Sequence, residues 1–368
     1  VNMTLRWFGH LDDSVTLKQI KQIPKVGGIV GTLNDLKAGE AWPLSRIRAL
    51  HREVTLEGFS LEVIESVNIH EDIKLGLPSR DKYIEAYIET IRRLASVGVK
   101  VICYNFMPVF DWTRSDLAKV LPDKSTVLAY ERAKVEAIDP NSLLSHLTGG
   151  AGGFSLPGWE PERLQEIVPL LEAYQHITEE QLFLNLTYFL EKTVPVAAEC
   201  GVKLAIHPDD PPWPVFGLPR IVKNKSDLIR IIEAVDHPSN SLTLCSGSLG
   251  ASLTNDLSDI FQTFLERDRV AFVHLRNIRH EPNGDFYETA HCDEAGSVPM
   301  THLIKLLSTY NYQGFIRPDH GRMIWGEKAR PGYGLYDRAL GAMYIQGQWD
   351  SFANQREGRS EYETSRNA

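Results

Sequence analysis

His207 in VKLAIHPDDPP, Cys245 in SLTLCSGSLG, His274 in RVAFVHLRNI and Asp319 in GFIRPDHGR share one placement. Each closes an apolar, largely β-branched run and precedes a polar or Gly/Pro-rich stretch. Two imidazoles, a thiolate and a carboxylate make a mixed donor set. Such a set suits Zn²⁺, Fe²⁺ or Mn²⁺ better than Mg²⁺ or Ca²⁺, which prefer shells of oxygen alone. The sulfur tilts the choice toward Zn²⁺ or Fe²⁺. Two anionic ligands nearly neutralise a divalent ion, leaving open positions for an anionic substrate. Each residue alone has a structural explanation: a hydrogen-bonded histidine, a packed cysteine, a capping aspartate. Four such placements at strand ends argue for a metal site.

Groups able to act on a sugar acid lie close by in the chain. His320 directly follows Asp319, points elsewhere than its neighbour, and could serve as acid, base or orienting partner of the carboxylate. Tyr333, in PGYG, offers a phenol on a loop after the last strand, or else an aromatic plug. Arg276 and Asn277 after His274, and Arg317 and Arg322 around Asp319, offer forks and amides for carboxylate or hydroxyl recognition, with at least one arginine left to structural pairing. Asp209 and Asp210, in HPDDPP, could bind sugar hydroxyls or simply shape the turn before two prolines.

These side chains need a scaffold that gathers strand ends. The ligands are 38, 29 and 45 residues apart, about one strand–helix–strand unit each. Eight strand candidates alternate with amphipathic stretches: Leu5–Gly9, Gly28–Thr32, Ser60–Glu65, Val99–Asn105, Val202–His207, Ser241–Ser246, Val270–Leu275 and Gly314–Arg317. Eight parallel strands close a (β/α)8 barrel, an α/β fold whose active sites form at the carboxyl-end rim. RDKYIEAYIETIRRLASVG reads as a helix stopping at glycine; EEQLFLNLTYFLEKTVPVAAECG reads as another, kinked or broken at Pro195. The rhythm fails once, between the fourth and fifth strands. The expected organisation is therefore one barrel domain over residues 1–348, with an insertion at about 110–198, and a polar tail over 349–368, frayed or lying along the surface. The insertion includes the helical-looking KSTVLAYERAKVEAI, the loop GGAGGF and SLPGWEPERL. It is expected to cover the rim as a lid, or to pack as an oligomer-contact subdomain. GGAGGF does not fit a phosphate-binding loop.

A net charge of −9 with no Lys/Arg-rich run argues against a nucleic-acid partner. No apolar run approaches the 18 or so residues that span a bilayer, so no membrane segment is expected. The start VNMTLRWFGH lacks the features of a secretory signal. Four widely spaced cysteines (Cys103, Cys200, Cys245, Cys292) fit a reduced, cytoplasmic protein, with Cys103 a core filler.

LRWFG, AIHPDDPP, LTLCSGSLG, VHLRNI, RPDHGR and PGYG occur in that order and together resemble the mannonate dehydratase family over essentially the whole chain. The resemblance implies a TIM barrel of the xylose-isomerase-like group that dehydrates D-mannonate to 2-dehydro-3-deoxy-D-gluconate in hexuronate breakdown. It implies Mn²⁺ or Fe²⁺ as cofactor, ahead of Zn²⁺. Carried over position by position, it makes His207, Cys245, His274 and Asp319 the ligands, with His320 and Tyr333 the catalytic pair. The insertion resembles a helical one in that family. A homodimer is expected from barrels with exposed helix faces. The rival readings are a metal-dependent sugar isomerase or epimerase on the same barrel, and a sugar-acid binder without turnover.

Overall fold

The computed structural model describes residues 1–137 and 164–366, with side chains described for 1–137 and 167–355. The strands are β1 (Asn2–Arg6), β2 (Val26–Gly31), β3 (Ser60–Glu65), β4 (Val101–Tyr104), β5 (Asp116–Val120) and β6 (Thr126–Tyr130). They continue with β7 (Lys203–Ile206), β8 (Asn240–Cys245), β9 (Val270–His274), β10 (Ile278–His280), β11 (Phe286–Glu288) and β12 (Phe315–Arg317). Eight of them close a parallel barrel in the order β1-β12-β9-β8-β7-β4-β3-β2. Every residue of β4, β8, β9 and β12 is buried, as parallel strands covered on both faces require. Val30, Val63, Val101, Cys103, Ala205 and Phe272 form a core cluster apart from the larger one that holds Ile29, Ile64, Ile102 and Leu204. That split follows strand alternation: one face fills the barrel and the other meets the helices. Cys103 is thus a filler, its Sγ accepting from Thr243 Oγ1 at 3.2 Å.

All eight expected barrel strands are present, with small shifts at their ends. The first is displaced most: β1 starts at Asn2 and ends at Arg6, so Trp7–Gly9 lie past it. The apolar WF pair suggested a strand, but Trp7 turns to donate its indole N–H to Val15 O, and Phe8 packs edge-on against Tyr333 at 4.8 Å. The helix Glu179–Glu199 runs unbroken through Pro195, and a capping box at Thr178 and Gln181 starts it. Its Phe189 packs among Tyr87, Tyr104 and Phe106, with ring centroids 5.0–6.2 Å apart, enough to hold it in place.

Two expectations need correction. KSTVLAYERAKVEAI is not one helix: its first half is β6, and only Arg132–Glu136 is helical. The β-branched and aromatic TVLAY run buries Val127, Leu128, Ala129 and Tyr130 in a four-stranded sheet, β10-β11-β6-β5. GGAGGF, and SLPGWEPERL up to Arg163, lie outside the described residues. The second correction is the tail, because residue 349 falls inside a single helix, Leu335–Arg366. Ile345 and Trp349 are buried on the core and carry the helix past the expected boundary. Among the described residues, no helix is long and apolar enough to cross a membrane.

Candidate metal centre

The strands β12, β9, β8 and β7 are consecutive around the barrel, and their carboxyl ends carry the four expected ligands. Cys245 ends β8 and stands opposite His274, which ends β9 and stands opposite Arg317 of β12. His207 follows β7 directly, its backbone N–H still donating to Tyr104 O. Asp319 lies two residues past β12, in the left-handed region at φ 59°, where aspartate is one of the few tolerated side chains.

The ligand atoms of His207, Cys245 and His274 all lie within 4.8 Å of one another. Asp319 adjoins this group on one side: its Oδ2 is 3.6 Å from Cys245 Sγ and its Oδ1 4.0 Å from His274 Nδ1. His207 Nδ1 donates to Pro208 O at 2.7 Å, which leaves the Nε2 lone pair facing His274 Nδ1 at 3.1 Å. Burial lowers the His207 pKa, but Cys245 first, then Glu65 and Asp319, lift it to about 9, so the pocket favours positive charge. His274 is held well below its ordinary value by burial and by Arg317, and is a neutral imidazole. Against its burial, Arg317, His320 and Arg276 keep Asp319 well below the usual carboxylate range. Two inward nitrogens, a sulfur and an ionised carboxylate fit a divalent transition ion.

Beside this centre, His320 Nε2 is 3.0 Å from Tyr333 Oη, and His320 Nδ1 lies 2.9 and 3.1 Å from the two oxygens of Glu288. Burial, partly opposed by Arg317, raises Tyr333 to about 12 and keeps the phenol protonated. The donor order follows: Tyr333 O–H to His320 Nε2, and His320 Nδ1–H to Glu288. Trp112 packs edge-on to His320 at 5.6 Å.

The chain as a whole matches a known family. A family model described as D-mannonate dehydratase (UxuA) covers residues 1–359. A mannonate dehydratase of Geobacillus thermodenitrificans is 62% identical over 359 residues, 98% of this chain and 97% of that protein. The chain belongs to the mannonate dehydratase family. The crystal structure of mannonate dehydratase from Streptococcus suis serotype 2 superposes with a TM-score of 0.87 at 43% identity, covering 97% of this chain and 95% of that one. A xylose isomerase-like TIM barrel protein from Mycobacterium smegmatis matches at TM-score 0.52 and 14% identity, over 92% and 88% of the chains, a likeness of fold alone. Mannonate dehydratases are metal-dependent enzymes.

In this mannonate dehydratase fold the remaining expected site residues divide. Arg276 and Arg317 face the centre: Arg276 Nε is 3.1 Å from Asp319 Oδ2, and Arg317 Nη1 is 2.8 Å from Asp319 Oδ1. Arg322 and Asn277 are engaged by protein partners, and Asp209 through one of its two oxygens. Arg322 forks onto Asp337 and reaches Asp123. Asn277 donates to Cys292 O and accepts from Val298 N. Asp209 Oδ2 accepts from the N–H groups of Ile221 and Val222. An adjacent position in sequence does not say where a side chain turns once its backbone leaves the strand.

Sequence reasoning passed over Glu288, Glu65, Arg6 and Arg114. Arg6 and Glu65 end β1 and β3, so the strand-end signal that found the ligands marks them too. Glu65 accepts from Arg317 Nη2 at 2.9 Å and lies 3.7 Å from His274 Nε2. Glu288 carries no such signal, because it comes from the short hairpin strand β11 outside the barrel. Burial raises its pKa, yet His320, Arg276 and Arg114 together bring it down to about 2. Its folded pKa lies below the ordinary 4.5, so the stabilisation it carries is full above that value and fades as pH falls toward 2. Its size is on the order of 3 kcal/mol. Urea unfolding across this range should therefore show a shallower acid decline for Glu288→Gln than for the unsubstituted protein; equal slopes would refute the assignment.

Gly247, in LCSGSLG, shows why that motif needs a glycine at its centre. A Cβ there would press on Arg276, only 2.8 Å from Cζ and closer still to Nε. Gly247→Ala should push the guanidinium off Asp319 and lower kcat/KM by about 10²-fold, the cost of an ångström-scale misplacement. Unchanged kinetics would show that Arg276 has slack.

Proposed function

We propose that this chain dehydrates D-mannonate to 2-dehydro-3-deoxy-D-gluconate, with Mn²⁺ or Fe²⁺ held by His207, Cys245, His274 and Asp319. The observation that carries this reading is the Glu288–His320–Tyr333 chain beside a mixed-donor centre, in a chain whose relatives are mannonate dehydratases. The reaction removes a weakly acidic proton from C2 and expels a poor leaving group, hydroxide, from C3. A divalent cation bound there supplies Lewis-acid stabilisation of charge developing on the substrate's oxygens. The chain itself supplies proton traffic. Glu288 fixes His320 in the tautomer whose Nε2 lone pair accepts the C2 proton. Tyr333 gives its phenolic proton to the departing C3 oxygen, which leaves as water. The enol product tautomerises to the 2-oxo acid. His320 then returns its proton to Tyr333 across their 3.0 Å contact, restoring both groups with no net proton change.

Arg276 and Arg317 flank Asp319 and hold it ionised, so they set the electrostatics of the centre. The insertion acts as a cover: Trp112 at its start lies against His320, and Tyr174 within it hydrogen-bonds Glu71 at the rim. The protein works as a homodimer in the cytoplasm. Tyr336, Leu340 and Met343, exposed along one face of the last helix, support the first part, and four free cysteines the second.

The direct test is turnover of D-mannonate by chelated protein, with Mn²⁺, Fe²⁺ or Zn²⁺ added back, following the 2-oxo-3-deoxy acid. Product should appear only with metal, and fastest with Mn²⁺ or Fe²⁺. No product with any ion, from protein shown to bind metal, would sink the dehydratase reading.

A further inference from the structure

Arginine matches a carboxylate with two parallel N–H bonds, so the partners of each buried arginine bear on where an acid substrate docks. Most are already engaged by the protein. Arg114 pairs with Asp210 and Glu288, Arg276 with Asp210, Glu288 and Asp319, and Arg317 with Glu65 and Asp319. Arg6 donates to Glu65 O, and Arg338 donates to three backbone carbonyls.

Arg220 differs from all of these. It is 0% exposed, and among the buried arginines of the described residues it alone has none of its three guanidinium nitrogens in a hydrogen bond. Its nearest carboxylate oxygen, Asp209 Oδ1, stands off at 3.9 Å and also lacks a hydrogen bond. The gap has a cause. Asp209 Oδ2 is tied to the N–H groups of Ile221 and Val222, and Asp209 N donates to Val222 O, so the aspartate is pinned and does not swing onto the guanidinium. Burying a charged fork with its donors unmet is costly, and a ligand that meets them relieves that cost on binding.

The place is also right. Arg220 belongs to the β7 loop that begins with His207, and Asp210 of the same loop bridges Arg114 and Arg276. Asp111, from the loop after β4, is close enough to feel the charge of both His207 and Arg220. Arg220 therefore shares its loop with His207, and its neighbour Asp209 directly precedes the Asp210 that reaches Arg276, while His320 packs with Tyr333 and Trp112.

We infer that Arg220 is the carboxylate receptor of this site, its open guanidinium fork taking the carboxylate of the hexonate substrate. The inference rests on the dehydratase reading and adds how the acid end is recognised. It predicts discrimination by charge, because the arginine reads the carboxylate and not the hydroxyl chain.

The test uses metal-loaded protein in a His320→Asn background, where D-mannonate turns over about 10²–10⁴-fold more slowly. Calorimetry then compares D-mannonate with its uncharged amide, D-mannonamide. Arg220→Gln should weaken D-mannonate by about 10²-fold and the amide by less than about 3-fold, with metal content unchanged. Arg220→Lys keeps the buried charge but loses the fork, and should weaken D-mannonate by about 10-fold. Should Arg220→Gln fail to fold, the lysine variant decides alone. Equal weakening of both ligands, no weakening of D-mannonate, or an Arg220→Lys protein that binds D-mannonate undiminished would each overturn the assignment, leaving Arg220 a structural neighbour of Asp209. If this binding pattern holds but metal-loaded protein with His320 intact never turns D-mannonate over, the dehydratase reading is refuted and the receptor stands.

Discussion

His320→Asn lowers kcat for D-mannonate by about 10²–10⁴-fold while the metal stays bound. His320 touches no ligand nitrogen or sulfur of the centre, and its Nε2 is 3.8 Å from Asp319 Oδ1, so its removal spares the donor set. What disappears is the acceptor held between Glu288 and Tyr333. Tyr333→Phe should fall in the same range for a related reason: the phenol, raised to about 12, is the stored proton for the leaving oxygen. Because one proton circulates through both groups, the double variant should lose little more than the worse single variant. Steady-state rates with metal analysis on each protein decide the matter. Near-normal turnover by either single variant, fully metallated, would break the proposed pairing.

Arg276→Met destabilises the fold by about 3–5 kcal/mol, the usual penalty for removing one member of a buried charge network. Arg276 is 1% exposed and is shared by three carboxylates. It lies 2.5 Å from Glu288 Oε1, 2.8 Å from Asp210 Oδ2 and 3.1 Å from Asp319 Oδ2. Those carboxylates arrive from β11, the β7 loop and the β12 loop, so one guanidinium ties the accessory sheet to two parts of the barrel rim. Once Arg276 is gone, Arg114 is the one arginine among the described residues left on Asp210 and Glu288, helped only by Ser248 on the first and His320 on the second. Adding Asp210→Asn to Arg276→Met should recover part of the loss, since it removes one stranded charge. Urea unfolding of the metal-loaded proteins measures both. A single variant within about 1 kcal/mol of the parent would mean that water or a shifted neighbour replaces the guanidinium.

The barrel was legible because its signals are local. A β-branched run followed by a polar turn marks a strand end whatever lies across from it, and eight such runs at βα spacing leave few alternatives. The same reasoning set His207, Cys245 and His274 at neighbouring ends, where the structure brings their donor atoms together. It stumbled on TVLAY, whose charged flanks suggested a helix while its own residues favour the strand they form. It also stopped at Gln348, because the polar residues of the last helix masked Ile345 and Trp349 beneath it.

By itself, then, the sequence determined the donor types, their order around one rim and the family to which they point. Only the tertiary structure decided which charges meet. Glu288 sits on a hairpin 32 residues before His320 and Glu65 on a strand 252 residues before Arg317. No local pattern encodes either pairing. Arg220 and Arg322 look alike as letters in a loop, yet Asp337 saturates one, and a pinned Asp209 leaves the other open. Backbone preference acts within a few residues, whereas a buried charge is settled by whatever the fold places within hydrogen-bond reach of it.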